Sequence, residues 1–297
     1  MSNNGLKNKI LLIFNPAAGK KKALKTEIFG VNGASEAKFK IKRTKSPGHA
    51  TELAKKNRDK YLIVTAIGGD GTVNEVASGL VNTDIPLGII PNGSGNGLAR
   101  ELGIPMNKKK AFDLLKKSTP IHIDTLLLND HPCVNMAGIG FDARVAHFFD
   151  KMKARGFLNY IQATLKLMHT YKPLHIKMLL DETQKVDEKV FLCSFANSRQ
   201  FGNNAFIAPD AKLNDGLIHI AILRPFPWYA APVLAWQLFS KKIHLSPYYQ
   251  SFTAGKCILD LEKELEMHID GEPKIVQGPV QITVKPSSLR VIGTLSH

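Results

Sequence analysis

The residues best placed to do chemistry are Gly68-Gly69-Asp70-Gly71-Thr72, which close an apolar run and open an amphipathic one. A bound phosphate needs backbone N–H donors at contact distance. Glycines let the chain come that close, and the N-terminus of a following helix adds partial positive charge. Asp70 then has a carboxylate beside the phosphates, where it could hold Mg²⁺ or take a proton. The spacing is neither a Walker A loop nor the dinucleotide fingerprint. Thr72-Val73-Asn74-Glu75 also has the form of a capping box, so Thr72 is expected both to cap the helix and to face the ligand.

Two further loops have the same character. Pro91-Asn92-Gly93-Ser94-Gly95-Asn96-Gly97 and Asn15-Pro16-Ala17-Ala18-Gly19-Lys20 each follow a strand signal. By itself the first reads equally as a flexible turn or a phosphate loop, and the second is weak. Together, three such loops at the carboxyl ends of strands would meet in one crevice, where open α/β sheets bind ligands. Two acidic turns complete the inventory. Asp270-Gly271-Glu272 reads as a turn, or as a base with a metal contact beside it. Lys212-Leu213-Asn214-Asp215-Gly216-Leu217 reads as a hairpin turn whose Asp215 could bind a cation.

The elements needed to hold these loops are written in the hydrophobic pattern. Strands are expected at residues 9–14, 39–43, 61–67 and 85–90, with helices after Gly19, around Ala50, Leu53 and Ala54, around Val73, Val76, Ala77 and Leu80, and from Leu98. The run at 61–67 is apolar almost throughout, as a central parallel strand should be, and 39–43 is less so. Strand–helix alternation predicts an α/β layered domain with a mainly parallel sheet. After about Asp124 the pattern turns to alternation: Leu174, Ile176, Met178 and Leu180; Leu265, Met267 and Ile269; Ile282 and Val284. Residues 190–196 and 217–223 are further strands, and 157–168 is the one convincing helix. This half reads as an antiparallel β domain, a sandwich. The boundaries expected are 1–124 for the α/β domain, 125–288 for the β domain and 289–297 for a last strand.

Composition sets the class of partner. The chain has 297 residues, 44% hydrophobic, with 40 Lys and Arg against 25 Asp and Glu, a formal net charge of +15. That length suits two domains with real cores, with only the polar start, residues 1–8, reading as disordered. The charge favours nucleotides, nucleic acid or an anionic lipid surface. No helix-turn-helix, zinc finger or RNP signature supports nucleic acid. Cys133, Cys193 and Cys257 are far apart and two lie in apolar runs, which fits buried thiols in a reducing compartment. No secretory signal and no membrane-spanning stretch is seen, since the longest apolar segment, 217–239, is broken by His219, Arg224 and three prolines. A cytoplasmic protein, peripheral at the membrane, is the expectation.

Taken in order, Gly68-Gly69-Asp70-Gly71-Thr72-Val73-Asn74-Glu75-Val76, Gly93-Ser94-Gly95-Asn96, Gly138-Ile139-Gly140-Phe141-Asp142, Asp215-Gly216-Leu217 and Asp270-Gly271-Glu272 resemble the diacylglycerol kinase catalytic-domain family, which includes bacterial lipid kinases, sphingosine kinases and ceramide kinases. The resemblance implies an ATP- and Mg²⁺-dependent lipid kinase with an α/β nucleotide domain and a C-terminal β-sandwich. It implies nucleotide contacts from Asn15, Pro16, Ala17, Ala18, Gly19, Thr44, Gly68, Gly69, Asp70, Gly71, Thr72, Val73, Asn74 and Ser94. Thr44 rests on the resemblance alone. Glu272 looks like the proton acceptor, with Asp270 beside it; in sphingosine kinases that role goes to the aspartate matching Asp70. A second, structural Mg²⁺ would take Asp215 and the backbone carbonyls of Lys212 and Leu217. One departure stands out. Many bacterial members carry Asn-Asp where this chain has Asn96-Gly97, and that aspartate joins a metal-water network with Asp70 and Asp124.

The acceptor would be a lipid hydroxyl presented at a membrane surface, with diacylglycerol, sphingoid or ceramide, and phosphatidylglycerol types all open. Residues 226–229, Leu234, Trp236, Leu238 and Phe239, followed by Lys241 and Lys242, could dip into the interface or pack on the sandwich. A homodimer stays open. The rival readings are an NAD kinase, which shares Gly-Gly-Asp-Gly-Thr but carries a second Asn-Glu pair and a Thr-Gly-Ser-Thr-Ala run that this chain lacks, and a non-catalytic, nucleotide-gated lipid binder.

Overall fold

The computed structural model describes residues 9–18, 39–151, 164, 166–168 and 170–295. The polar start, Gly19, the helix expected after it and most of the helix expected at 157–168 lie outside the described residues; Thr164 and residues 166–168 are helical. The chain forms two compact units, residues 1–123 with 287–297, and residues 124–286. Asp124 thus belongs with the second unit, and residues 287–288 with the first.

The first unit is built on β1 (Ile10–Phe14), β2 (Phe39–Arg43), α1 (His49–Asn57), β3 (Ile63–Gly68), α2 (Asp70–Ser78), β4 (Leu87–Pro91), α3 (Gly97–Glu101) and α4 (Lys108–Lys117). The strands are parallel in the order β2-β1-β3-β4. Burial follows position. Every residue of central β3 and β4 is buried, whereas edge strand β2 alternates half-buried and exposed. Val64, Ala66, Ile67, Val76, Ala77, Leu87 and Ile90 are buried between the sheet and its helices. Each aliphatic side chain so buried stabilises the unit by about 1.5–3 kcal/mol.

The second unit begins in β5 (Pro120–Leu128), which crosses from the first. It continues with β6 (His131–Cys133), β7 (Met136–Gly140), α5 (Phe141–Lys151), β8 (Leu174–Leu180), β9 (Gln184–Val190), β10 (Leu192–Ala196), β11 (Ile218–Leu223), α6 (Ala231–Phe239), β12 (Tyr249–Ala254), β13 (Lys256–Asp260), β14 (Leu265–Ile269), β15 (Glu272–Val276) and β16 (Val280–Ile292). One antiparallel sheet runs β12-β11-β10-β7-β14-β15. The other sets β13 between β16 and the β8–β9 hairpin. Ile139, Met178, Phe195, Ile220, Leu259, Met267 and Ile282 interdigitate between them, giving a β-sandwich. A second apolar layer, with Phe141, Leu192, Ile207, Leu234 and Ile243, covers the outer face of the first sheet.

Three details differ from the pattern read in the sequence. The run at 190–196 is two strands, because Phe191 turns away to donate its N–H to Leu223 O while its carbonyl accepts from Phe141. The last strand is continuous over thirteen residues. It passes through exposed Pro286 and through Ser287 at φ 49° to end in the first unit, where Val291 pairs with Leu87. Among the described residues the second unit also holds the helices α5 and α6, beyond the one expected. Among the described residues no helix is long and apolar enough to cross a membrane.

Candidate functional site

The parallel sheet places four turns side by side. Register pairs Phe14 with Arg43 and with Ile67, and Gly68 with Pro91, so β1 to β4 all end at one edge. Their extensions are bonded together: Asn15 N–H to Ile67 O at 3.1 Å, Thr44 N–H to Phe14 O at 2.9 Å and Asn92 N–H to Gly68 O at 2.8 Å. Side chains fasten the loops further. Asn15 Nδ2 donates to Thr72 Oγ1 at 3.1 Å, and Asn15 Oδ1 accepts the Ala17 N–H at 2.9 Å. Asn92 Nδ2 donates to Ala18 O at 2.7 Å. The structure therefore brings together Asn15, Pro16, Ala17, Ala18, Thr44 and the segment 68–74.

Glycine is required where the loops after β3 and β4 touch. A Cβ on Gly93 would lie 2.5 Å from Gly69 Cα, closer than real contacts allow. Two backbones meet there with no side chain between them, and the helix α2 starts directly behind. Asn96 holds the β4 loop in shape at φ 53°, its Oδ1 accepting from Gly93 N–H at 3.0 Å and its Nδ2 donating to Gly93 O at 2.9 Å. Asn92 and Asn96 were not singled out in the sequence as site residues. Their signal was two asparagines in a glycine-rich loop, the residue type that tolerates left-handed backbone and bonds to it.

The capping box over Thr72–Glu75 is not formed. Helix α2 begins at Asp70 with Gly69 as its N-cap, so Thr72 already lies inside it and is bonded to Asn15. Glu75 Oε2 instead accepts the Ala50 N–H at 2.9 Å, in the first turn of α1. Asp70 serves another helix in the same way. Its oxygens accept Asn96 N–H at 2.9 Å and Gly97 N–H at 2.7 Å, at the start of α3. Carboxylates at helix N-termini satisfy donors that no turn of helix can reach and meet the positive end of the dipole. Val73 is buried in the core, so only its backbone faces the loops, while Ser94 is exposed.

The acidic turns of the second unit behave differently from each other. Asp270 and Gly271 form a tight two-residue hairpin turn between β14 and β15, at φ 50° and 81°. Read as a candidate beside the base, Asp270 is buried and occupied. Its Oδ1 accepts Asn135 N–H at 2.8 Å, Met136 N–H at 3.0 Å and the Cys133 thiol at 3.2 Å, and its Oδ2 accepts Val134 N–H at 2.9 Å. That carboxylate fastens the bend before β7. Burial, and then the Asp270 charge, push the Cys133 thiol well above its ordinary range. Glu272 stands half-buried at the start of β15, opposite Ile269.

Around Asp215, Oδ1 accepts Leu217 N–H at 3.1 Å and Oδ2 lies 2.8 Å from His219 Nε2. The turn is tied to β5, where Asp124 donates its N–H to Leu213 O at 2.6 Å and accepts Gly216 N–H at 2.7 Å. Lys212 is exposed in this turn. Among the described residues no three His, Cys, Asp or Glu side chains form a metal cluster. A cation here would lean on carbonyl, water or phosphate oxygens, donors that suit Mg²⁺. Gly138-Ile139-Gly140-Phe141-Asp142 is the junction of β7 and α5. Asp142 Oδ2 lies 3.1 Å from His268 Nε2, and a Cβ on Gly138 would strike that oxygen at 2.2 Å.

The model of the diacylglycerol kinase catalytic domain matches residues 9–128, and that of the YegS C-terminal NAD kinase beta sandwich-like domain matches residues 135–293. The chain belongs to the diacylglycerol kinase catalytic-domain family, and its class is that of a lipid kinase. A diacylglycerol kinase of Mycobacterium tuberculosis is 30% identical over 77% of this chain and 76% of its own length. A probable lipid kinase YegS of Escherichia fergusonii is 30% identical over 94% of each. A Bacillus anthracis str. Sterne crystal structure, described as a candidate diacylglycerol kinase, superposes with TM-score 0.80 at 26% identity over 97% of this chain and 96% of that one. An Archaeoglobus fulgidus NAD kinase in complex with ATP shares the fold, with TM-score 0.51 at 13% identity over 96% of this chain and 94% of its own.

Proposed function

We propose that this lipid kinase transfers the γ-phosphate of ATP, with Mg²⁺, to a hydroxyl of a lipid presented at a membrane surface. The observation that carries the reading is the knot of loops at the carboxyl edge of the parallel sheet. Asn15, Asn92, Asn96 and the Gly69–Gly93 contact hold bare backbone in place where phosphates would lie. Phosphoryl transfer asks mainly for such positioning and for charge neutralisation. Residues 15–18, Thr44, residues 68–72, Asn74 and Ser94 would meet the nucleotide, and Val73 would do so through its backbone. Mg²⁺ would neutralise phosphate charge near Asp70. A second ion would rest on Asp215 and the carbonyls of Lys212 and Leu217.

Glu272 is the proton acceptor in this reading. Asp270 has its oxygens filled by N–H groups and a thiol, and Asp70 is oriented by two helix N–H groups toward a positioning role. The test supplies γ-labelled ATP and Mg²⁺ with diacylglycerol, ceramide, sphingoid base and phosphatidylglycerol in separate vesicles, and NAD in a parallel tube. Label in one lipid, lost in Glu272→Gln while ATP binding persists, is the expected result. Label in NAD alone would move the chain to the NAD kinase reading that the shared fold keeps in view.

A further inference from the structure

The lipid acceptor has to be reached, and the outer face of α6 has the chemistry for reaching it. The sequence of α6, Ala231–Phe239, contains no charged residue. Leu234 and Leu238 pack inward on the layer over the sandwich. A helix apolar all round is ordinarily buried on every side, but this one is not. Trp228 is 80% exposed, Tyr229 67%, Trp236 58% and Phe239 50%, with Val233 and Leu245 also out. Of nine large hydrophobic side chains exposed among the described residues, these six fall within residues 228–245. Scattered exposed apolar residues are normal on any protein; a contiguous group marks a contact surface.

Charge selects the partner. No Asp or Glu occurs between Asp215 and Asp260, while Lys241 and Lys242 follow α6 directly. Both lysines are exposed, and the Lys242 ammonium lies 5.4 Å from the centre of the Trp236 ring. Tryptophan and tyrosine with flanking lysines are the residues that settle at the headgroup level of a bilayer. A second copy of the chain is a poor occupant. In a two-fold dimer the patch would face its own copy, whose residues 216–259 offer no carboxylate to the lysines, and the chain already carries +15.

We infer that residues 228–245 form a membrane-docking face that inserts Trp228, Tyr229, Val233, Trp236 and Phe239 into the headgroup layer of an anionic bilayer, with Lys241 and Lys242 on its phosphates. The inference leans on the lipid-kinase reading for why the protein would dock, and is tested apart from it. Trp228 and Trp236 are the two tryptophans of the chain, so intrinsic emission reports on this face directly. The full chain is mixed, without ATP, with vesicles of phosphatidylserine and phosphatidylcholine, or of phosphatidylcholine alone, and followed by emission and by co-sedimentation.

A blue shift and sedimentation with the anionic vesicles are expected, weaker with phosphatidylcholine. Trp228→Ser with Phe239→Ser should weaken binding roughly tenfold or more, and Lys241→Gln or Lys242→Gln roughly fivefold each on anionic vesicles. Each variant should keep the circular dichroism of the parent and the same transfer to a short-chain acceptor in detergent micelles. If the enzyme reading fails, no form transfers label yet docking persists. If docking fails, micellar transfer persists and vesicles leave emission and sedimentation unchanged. Variants that bind as the parent does, or a blue shift that grows with protein concentration in vesicle-free buffer as a dimer forms, would overturn the inference.

Discussion

Replacing Asp270 by Asn, beside Glu272→Gln, tests which of the two carboxylates holds the fold and which the proposed reaction needs. Asp270 accepts three backbone N–H bonds and the Cys133 thiol while only 4% exposed. An asparagine with its oxygen at the Oδ1 position keeps the bonds to Asn135 and Met136 but sets an NH₂ group against the Val134 N–H. Losing a bond to a charged acceptor costs about 1.5–3 kcal/mol, and the stranded N–H a further 1–3 kcal/mol or so. The backbone is not the cause, since asparagine accepts the left-handed φ of 50° at this position. A total of roughly 3–5 kcal/mol should lower the melting temperature of the second unit by about 6–20 °C. Calorimetry of Asp270→Asn beside Glu272→Gln is the assay. The first should melt early and, while folded, transfer phosphate; the second should melt within a degree or two of the parent and transfer none. A stable Asp270→Asn protein without activity would refute the reasoning and return Asp270 to the reaction.

Other outcomes follow from named contacts. Gly93→Ala forces its new methyl into Gly69 Cα, at 2.5 Å; ATP binding, read by titration calorimetry, should fall at least tenfold, and unchanged affinity would remove this contact from the site. Glu75→Ala strands the Ala50 N–H of α1 and should cost about 1 kcal/mol in urea unfolding, as lost N-caps do. Burial raises the thiols of Cys133, Cys193 and Cys257 above 9.0, Cys257 to about 12. A folded thiol that holds its proton longer than an unfolded one stabilises the fold fully below about pH 9, and that stability is lost as the pH rises through the folded value. At pH 8 a thiol reagent should find no cysteine in the native protein and three after unfolding.

The fold was legible where local pattern and tertiary position agree. Residues 61–67 are apolar because β3 is flanked by β1 and β4 and covered on both faces, and 39–43 is less so because β2 is an edge. The glycine loops were legible because close backbone approach leaves a composition that little else explains. What failed depended on distant partners. Thr72 and Glu75 have the spacing of a capping box, but Asn15 and the start of α1 claim them. Nothing local in Asp270-Gly271-Glu272 says which carboxylate turns inward, because the three N–H donors that hold Asp270 lie about 135 residues earlier. Phe191 sits in an unbroken apolar run, so the passage from β9 to β10 leaves no mark. The apolar α6 gives no hint of which face it buries.

The measurement that bears most directly on the central claim is γ-phosphate transfer from Mg²⁺-ATP to vesicle lipid by the parent chain and by Asp70→Asn. The account predicts a labelled lipid with the parent and at least a hundredfold less with the variant, since Asp70 orders the β4 loop and, in the proposed reading, would stand beside the phosphates. A labelled lipid of equal intensity from both proteins, or ATP binding with no lipid labelled, would contradict it.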